Sequence, residues 1–134
     1  MNWPVNWIDA LRGRKIELTE QQALRLKSWR DLHPSSAGLG LDCSRFVVVD
    51  VETSGLSLTK DRLIAIGAVA VVNGKIDLDD SFEVVLQQQV TSTKANILIH
   101  GIGGSAQTGG QAPIEALLAF LEYLGKDPRI LIFP

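Results

Sequence analysis

The sequence contains one cysteine, Cys43, so it cannot form an intrachain disulfide and a reducing compartment is expected. It also lacks a long apolar run. The longest, Leu63 to Val72, is ten residues and is broken by Gly67, far short of the roughly 20 needed to cross a bilayer. No basic stretch leads into an apolar core at the N-terminus, so no signal peptide is expected and the predicted location is the cytoplasm. A basic excess is missing too: the net charge is −2, with seven Lys/Arg against five Asp/Glu in residues 1–45 and six against ten in residues 46–134. Binding driven by phosphate neutralisation would need such an excess. A site whose positive charge comes from metal ions tolerates an acidic domain. At 134 residues, 46% hydrophobic and 21% charged, the composition fits one globular domain and excludes disordered and fibrous classes.

Two helical segments are predicted first. Pro4 suits an early position in a helix over Trp3 to Leu11, which Gly13 ends. Thr19 followed by Gln22 has the form of a capping box, and Ala23, Leu26, Trp29 and Leu32 recur at helical spacing until Pro34. Ser35 to Asp42 reads as a linker, so residues 1–44 form a helical N-terminal extension ahead of a domain over 45–134. Phe46 to Val49, apolar and β-branched, predicts a strand buried on both faces. Leu63 to Val72 predicts a second strand, Asn73-Gly74 a tight turn, and Lys75 to Gln87 a third strand. Val90 to Gly110 is loop-rich, and its glycines from Gly101 onward predict a flexible loop, since no Gly-Lys-[Ser/Thr] follows to make a phosphate loop. Pro113 opens a helix to Leu124 with Ile114, Leu117, Leu118, Leu121 and Leu124 on its apolar face, and Arg129 to Phe133 closes the order β-β-β-α-β as a fourth strand. Trp3, Trp7 and Trp29 are read as hydrophobic docking residues, because no basic cluster interleaves them as a base-stacking platform would need.

The chemistry is concentrated in Asp50-Val51-Glu52-Thr53-Ser54-Gly55-Leu56. Residues i and i+2 of a strand share a face, so Asp50 and Glu52 project together while Val51 points to the opposite layer. Two carboxylates held that close repel unless a cation compensates, and hard oxygen ligands suit Mg²⁺ or Mn²⁺. Gly55 and the hydroxyls of Thr53 and Ser54 favour a sharp turn, leaving backbone N–H groups for a ligand or phosphate. The plainer alternative is a strand end whose two acids face water above a Thr-Ser-Gly turn.

These residues resemble a known family. F-V-V-V-D-V-E-T-S-G-L, D-R-L-I-A-I-G-A-V-A-V-V-N-G-K-I and I-L-I-H-G-I are similar to the opening of the DEDD exonucleases, the group that includes the proofreading epsilon subunit of DNA polymerase III. The resemblance covers residues 45–134, about two-thirds of the chain. It implies an α/β, ribonuclease H-like mixed sheet: an antiparallel three-strand meander, a helix crossover and a parallel fourth strand. It also implies a two-metal site, the ions about 4 Å apart, that removes nucleoside monophosphates from the 3′ end of single-stranded DNA or RNA. Asp50 and Glu52 would be the catalytic and metal-binding carboxylates, with Asp50 bridging both ions. Val51, Thr53, Ser54, Gly55, Leu56 and His100 would lie along the substrate, the Thr53 backbone at the terminal 3′-hydroxyl and Leu56 wedged against the terminal base. His100 reads equally as a loop histidine that hydrogen-bonds the backbone.

The family's third acid, in an H-N-x-x-F-D motif, and its histidine base do not occur in this sequence, which ends at Phe133-Pro134; Ala65 and Gly103 stand where many relatives carry Glu and Thr. The expectation is a domain incomplete at its C-terminus, inactive or weakly active alone, whose fourth strand exposes Ile130, Leu131 and Ile132 for self-association. A polymerase subunit is a second expected partner. Two alternatives stand beside the exonuclease: a non-catalytic nucleic-acid or polymerase-binding module on the same fold, and an unrelated metal-dependent phosphohydrolase.

Overall fold

In the computed structural model, residues 16–33, 45–57, 60–126 and 129–132 are described. The expected helix over Trp3 to Leu11, the linker Ser35 to Asp42 and the end at Phe133-Pro134 lie outside them. The elements run α1 (Glu20–Arg30), β1 (Arg45–Thr53), β2 (Leu63–Val72), β3 (Lys75–Val85), α2 (Lys94–His100), α3 (Gly104–Thr108), α4 (Pro113–Leu124) and β4 (Arg129–Ile132). The sheet order is β3-β2-β1-β4, with β1–β2 and β2–β3 antiparallel and β4 parallel to β1. This is the mixed sheet that the family resemblance implied, and the helix α4 makes the crossover into β4.

Among the described residues, one face of the sheet carries the core. Val47 and Val49 of β1 are 0% and 5% exposed and pack with Ile66, Val84 and Leu86 beneath Ala116 and Leu124 of α4. Val48, between them, is half-buried and faces an open cleft. The expectation of a strand buried on both faces is therefore corrected: a helix covers one side of β1, while its β-branched residues on the other side form the floor of the cleft.

The β2–β3 hairpin turns through Asn73 (φ 52°) and Gly74 (φ 73°), the paired positive angles that a two-residue turn matching the twist of the strands requires. Pairing then slips. Ala70 faces Asp77, but Val69 faces Ser81, which leaves Leu78, Asp79 and Asp80 without partners on β2. A three-residue shift is odd, so every later side chain of β3 changes face relative to a regular hairpin. Phe82 and Val84 thereby reach the core, where the Phe82 ring lies 5.5 Å from Phe120 and 5.3 Å from Tyr123.

Arg45 holds the bulge. Its Nε and a terminal nitrogen donate to the two carboxylate oxygens of Asp80 at 2.6 and 2.7 Å, its guanidinium lies 4.8 Å from the centre of the Tyr123 ring, and the Tyr123 hydroxyl donates to the Asp80 carbonyl at 3.0 Å. The Arg45 hydrogen bonds hold the Asp80 carboxyl below its ordinary pKa, and Asp80 raises that of Arg45.

Helix α1 begins with the expected capping box, Thr19 and Gln22 exchanging both bonds. Its contact with α4 is largely polar: Gln22 donates to Glu115, Arg25 bridges Glu115 and Glu122, and Trp29 Nε1 donates to the Gly125 carbonyl at 3.0 Å with Lys126 over its ring. Below these bonds Leu26 joins Ile114, Leu117 and Leu121, the outer part of the apolar stripe of α4.

The stretch over Gly101 to Gly110 is not the flexible loop its glycines suggested. It contains α3, and Gln107 is 0% exposed: its Oε1 accepts the Ser92 N–H, while Nε2 donates to Ser92 Oγ and the Ile102 carbonyl. A buried amide with all these bonds made fixes the segment. Gly110 sits where a Cβ would fall 2.7 Å from the Val85 carbonyl oxygen and 2.8 Å from the Gln87 nitrogen. That close approach allows the bonds between Gln111 and the exit of β3.

Two predictions follow from this packing. Asp80→Asn should cost about 2 kcal/mol at neutral pH, the range of a charge-assisted hydrogen bond. Since the native pKa of Asp80 is depressed, its contribution is complete above the unfolded value of about 4 and is lost as pH falls toward the native one. Urea melts of the two proteins should therefore converge below about pH 4, and a gap that stays constant there would refute the ion-pair account. Gly110→Ala should lose about 1–3 kcal/mol through overpacking against the β3 backbone; an unchanged thermal midpoint would show that this contact yields freely.

Candidate active site

Strand alternation places Asp50 and Glu52 on the face of β1 opposite the core, beside Val48. Directly across on β2 stand Gly67 opposite Asp50, Ala65 opposite Glu52 and Val69 opposite Val48. The small residues leave the space above the sheet open: a Cβ on Gly67 would meet nothing nearer than the Asp50 carbonyl at 4.0 Å. The result is a cleft of about 520 Å³, its floor the sheet and one wall made by His100 and Ile102. Asp50 is exposed and Glu52 half-buried.

Glu83 also lines this cleft, two strands over, on the far side of Gly67. Counting back from the Asn73-Gly74 turn would have put Asp80 there; the bulge substitutes Glu83. Among the described residues no three His, Cys, Asp or Glu side chains are arranged to hold a metal ion. Asp50 and Glu52 thus stand as a pair, without a third ligand beside them in the described part of the chain.

The turn after β1 is built from its own side chains. Thr53 Oγ1 donates to the Gly55 carbonyl at 2.7 Å, Ser54 Oγ donates to Asp61 Oδ1 at 2.8 Å, and the Ser57 N–H donates to Asp61 Oδ2 at 2.8 Å. Ser54 Oγ also accepts the Arg62 N–H, and the Ser54 N–H donates to the Arg62 carbonyl. The N–H of Ser54 is therefore spent on the turn, contrary to the expectation that it stays free for a ligand. The Ser57 and Ser54 bonds hold the Asp61 carboxyl below its ordinary pKa. Gly55 leaves room for that carboxylate: a Cβ there would fall 2.6–2.8 Å from it, so the Asp61 side chain would have to shift. Asp61, the first residue of the D-R-L-I-A-I-G segment, carries this turn, a role the sequence analysis did not assign it.

Of the other expected site residues, Val51 pairs with the buried Ile66, so its side chain leaves by the opposite face, where it remains partly exposed. Leu56 stands fully exposed at the tip of the turn. His100 joins the cleft with both ring nitrogens engaged: Nδ1 accepts the Ile102 N–H at 3.0 Å, and Nε2 lies 3.1 Å from Ser92 Oγ. A backbone N–H can only donate, so Nδ1 is the acceptor and the neutral ring carries its proton on Nε2. The imidazole is thus an oriented wall of the cleft. Asn96, one turn earlier on α2, reaches the end of β1, its Nδ2 donating to the Thr53 carbonyl at 2.9 Å; an asparagine within an apparent loop gave no signal of this.

Comparison with known proteins agrees with the fold. The family model RNase_T, described as Exonuclease, matches residues 47–132. The chain is 38% identical over 78 residues to the DNA polymerase III PolC-type of Caldanaerobacter subterraneus subsp. tengcongensis, a match that takes in 58% of this chain and 5% of that protein. Among solved structures, cell-death related nuclease 4 superposes with a TM-score of 0.58 at 19% identity, covering 68% of this chain and 35% of the nuclease. Exonuclease I in complex with inhibitor BCBP superposes with a TM-score of 0.56, also at 19% identity, covering 68% of this chain and 21% of that one. The chain therefore spans a small part of each of these relatives, and the structural likeness establishes the ribonuclease H-like fold. Since the family model runs through the strand, turn and helices that build the cleft and takes in well over half of the sequence, the chain belongs to the exonuclease family, in its DEDD-type branch.

Proposed function

We propose that the domain is a metal-dependent 3′–5′ exonuclease that hydrolyses phosphodiester bonds at nucleic-acid 3′ ends and releases nucleoside monophosphates. The observation that carries this reading is the placement of Asp50 and Glu52 on one face of β1, at an open cleft that Ala65 and Gly67 keep clear. The donor set fits a hard divalent cation: Mg²⁺ or Mn²⁺ is commonly held by one or two carboxylates together with water and substrate phosphate. When bound, such an ion supplies charge and Lewis acidity at the scissile phosphate. The chain's own residues position the substrate. The Thr53 backbone faces the terminal nucleotide, Leu56 projects as an apolar wedge for its base, and the His100 ring backs the cleft.

The two acids supply half of the four carboxylates of a DEDD site. The 134 residues alone are therefore expected to bind metal and nucleotide but to hydrolyse little or nothing. Single-stranded DNA or RNA is the proposed substrate. A polymerase subunit is the proposed partner, a reading supported by the polymerase relative, and the cytoplasm is the proposed location; no helix among the described residues is long and apolar enough to cross a membrane. The second reading, a non-catalytic nucleic-acid or polymerase-binding module, is favoured by one observation: no third ligand stands beside Asp50 and Glu52 in the described residues.

Calorimetric titration with Mn²⁺, with and without a nucleoside monophosphate, separates the two readings. Binding that the nucleotide strengthens and that Asp50→Ala/Glu52→Ala abolishes is expected, together with no mononucleotide release above that double variant. Nucleic-acid binding indifferent to metal would instead establish the module, and metal-dependent release that Asp50→Ala removes would overturn the expected inactivity. β4 forms the second edge of the described sheet, with Ile130, Leu131 and Ile132 exposed. Self-association through that edge should appear in light scattering as a mass that rises with concentration; a constant monomer mass would refute it.

A further inference from the structure

We infer that Asn96 is a positioning residue of this site: its side-chain amide clamps the Thr53–Ser54 peptide at the end of β1, and so sets the backbone that receives the terminal nucleotide. The inference rests on the exonuclease reading and specifies which residue shapes its nucleotide pocket.

The clamp follows from strand geometry. Successive residues of a strand direct their backbone groups to alternate sides. The Ser54 N–H points toward β2, where it donates to the Arg62 carbonyl at 2.9 Å. The Thr53 carbonyl of the same peptide unit therefore points the other way, toward the side on which β4 lies. Within the described residues β4 pairs with β1 from Phe46 to Val49. Asn96 Nδ2 donates to the Thr53 carbonyl at 2.9 Å. One peptide is thus gripped at both ends, by β2 through its N–H and by α2 through its carbonyl.

The side chain that grips is itself fixed. Thr93 caps the first turn of α2 by accepting the Asn96 N–H, and His100, one turn further along, is held by Ile102 and Ser92. Ser92 in turn is held by the fully buried Gln107. Asn96 and His100 are spaced i, i+4 and share a face of the helix, so α2 touches the site at two points: the end of the catalytic strand and the wall of the cleft. Rotation of the Thr53–Ser54 peptide would move the Thr53 backbone while leaving the Asp50 and Glu52 side chains on their strand. The effect of losing Asn96 should therefore fall on nucleotide binding and spare the metal carboxylates.

The test is Mn²⁺ calorimetry with and without a nucleoside monophosphate on the full chain, Asn96→Ala, the isosteric Asn96→Asp and the surface control Leu98→Ala on the same helix. Asn96→Asp keeps the shape but sets a carboxylate against the Thr53 carbonyl, so it remains informative if the alanine variant fails to fold. Mn²⁺ affinity alone should stay within about twofold of the unmodified chain, while nucleotide-dependent strengthening falls about tenfold in both Asn96 variants and is unchanged in Leu98→Ala. If both variants keep the strengthening, the positioning role is overturned and the exonuclease reading stands. If metal affinity falls by the same factor as nucleotide affinity, Asn96 merely holds the fold, which also overturns the role. If the unmodified chain shows no nucleotide-strengthened binding, the exonuclease reading fails and the inference fails with it.

Discussion

The structure turns on the ion pair between Arg45, the first residue of β1, and Asp80, inside the bulge of β3. A two-residue hairpin pairs its strands in a register set by the turn, and continued unbroken it would send Phe82 and Val84 to the cleft face. The three unpaired residues reverse that parity. A bulge of this kind leaves backbone groups unpaired and needs a holder. The bidentate guanidinium, its stacking on Tyr123 and the Tyr123 bond to the Asp80 carbonyl provide one from two other elements. Core and site are thereby coupled, because the same shift that buries Phe82 against Phe120 sets Glu83 beyond Gly67 at the rim of the cleft.

The acids of β1 reach an open cleft because α4 packs on the other face of the sheet. A strand covered on both sides would have to bury Asp50 and Glu52, at a cost that unpaired carboxylates cannot recover. Here their face is open, floored by Gly67 and Ala65 and walled by His100. His100 keeps its place through bonds to both ring nitrogens, and Gln107 supports the wall by holding Ser92 from behind. Much of the polar chemistry around the cleft therefore serves to hold its walls, and the two acids of β1 are left facing the space that substrate would enter.

The features legible in the sequence are those whose cause is local. Asn73-Gly74 announces its turn because both positions need positive φ; Thr19 and Gln22 announce a helix start because the two bonds close over three residues; Asp50 and Glu52 share a face because the strand period is two. The order of strands and the crossover helix followed from such signals together with the family resemblance. What could not be read depends on distant partners. The bulge depends on Arg45, 35 residues away in the chain; the burial of Gln107 depends on Ser92, 15 residues away; and the use of Asn96 depends on a carbonyl 43 residues away. Glycine content misled at Gly101 to Gly110 for the same reason, since Gly110 is needed for a close backbone approach to β3 that its own neighbours do not reveal.

The D-x-E-T-S-G segment shows how one motif divides its labour. Its hydroxyl residues look like candidates for substrate contact, yet Thr53 and Ser54 direct their side chains into the turn, and Asp61 closes it by accepting from Ser54 and Ser57. A Cβ on Gly55 would displace that carboxylate. The Thr53–Ser54 peptide is held by β2 through its N–H and by α2 through its carbonyl. Preorganisation of this kind lowers the cost of ordering on binding. It also accounts for a motif of which two residues face the cleft while the others are constrained as tightly: Asp50 and Glu52 present their carboxylates to the open space, and the turn residues keep the backbone beside them in one conformation.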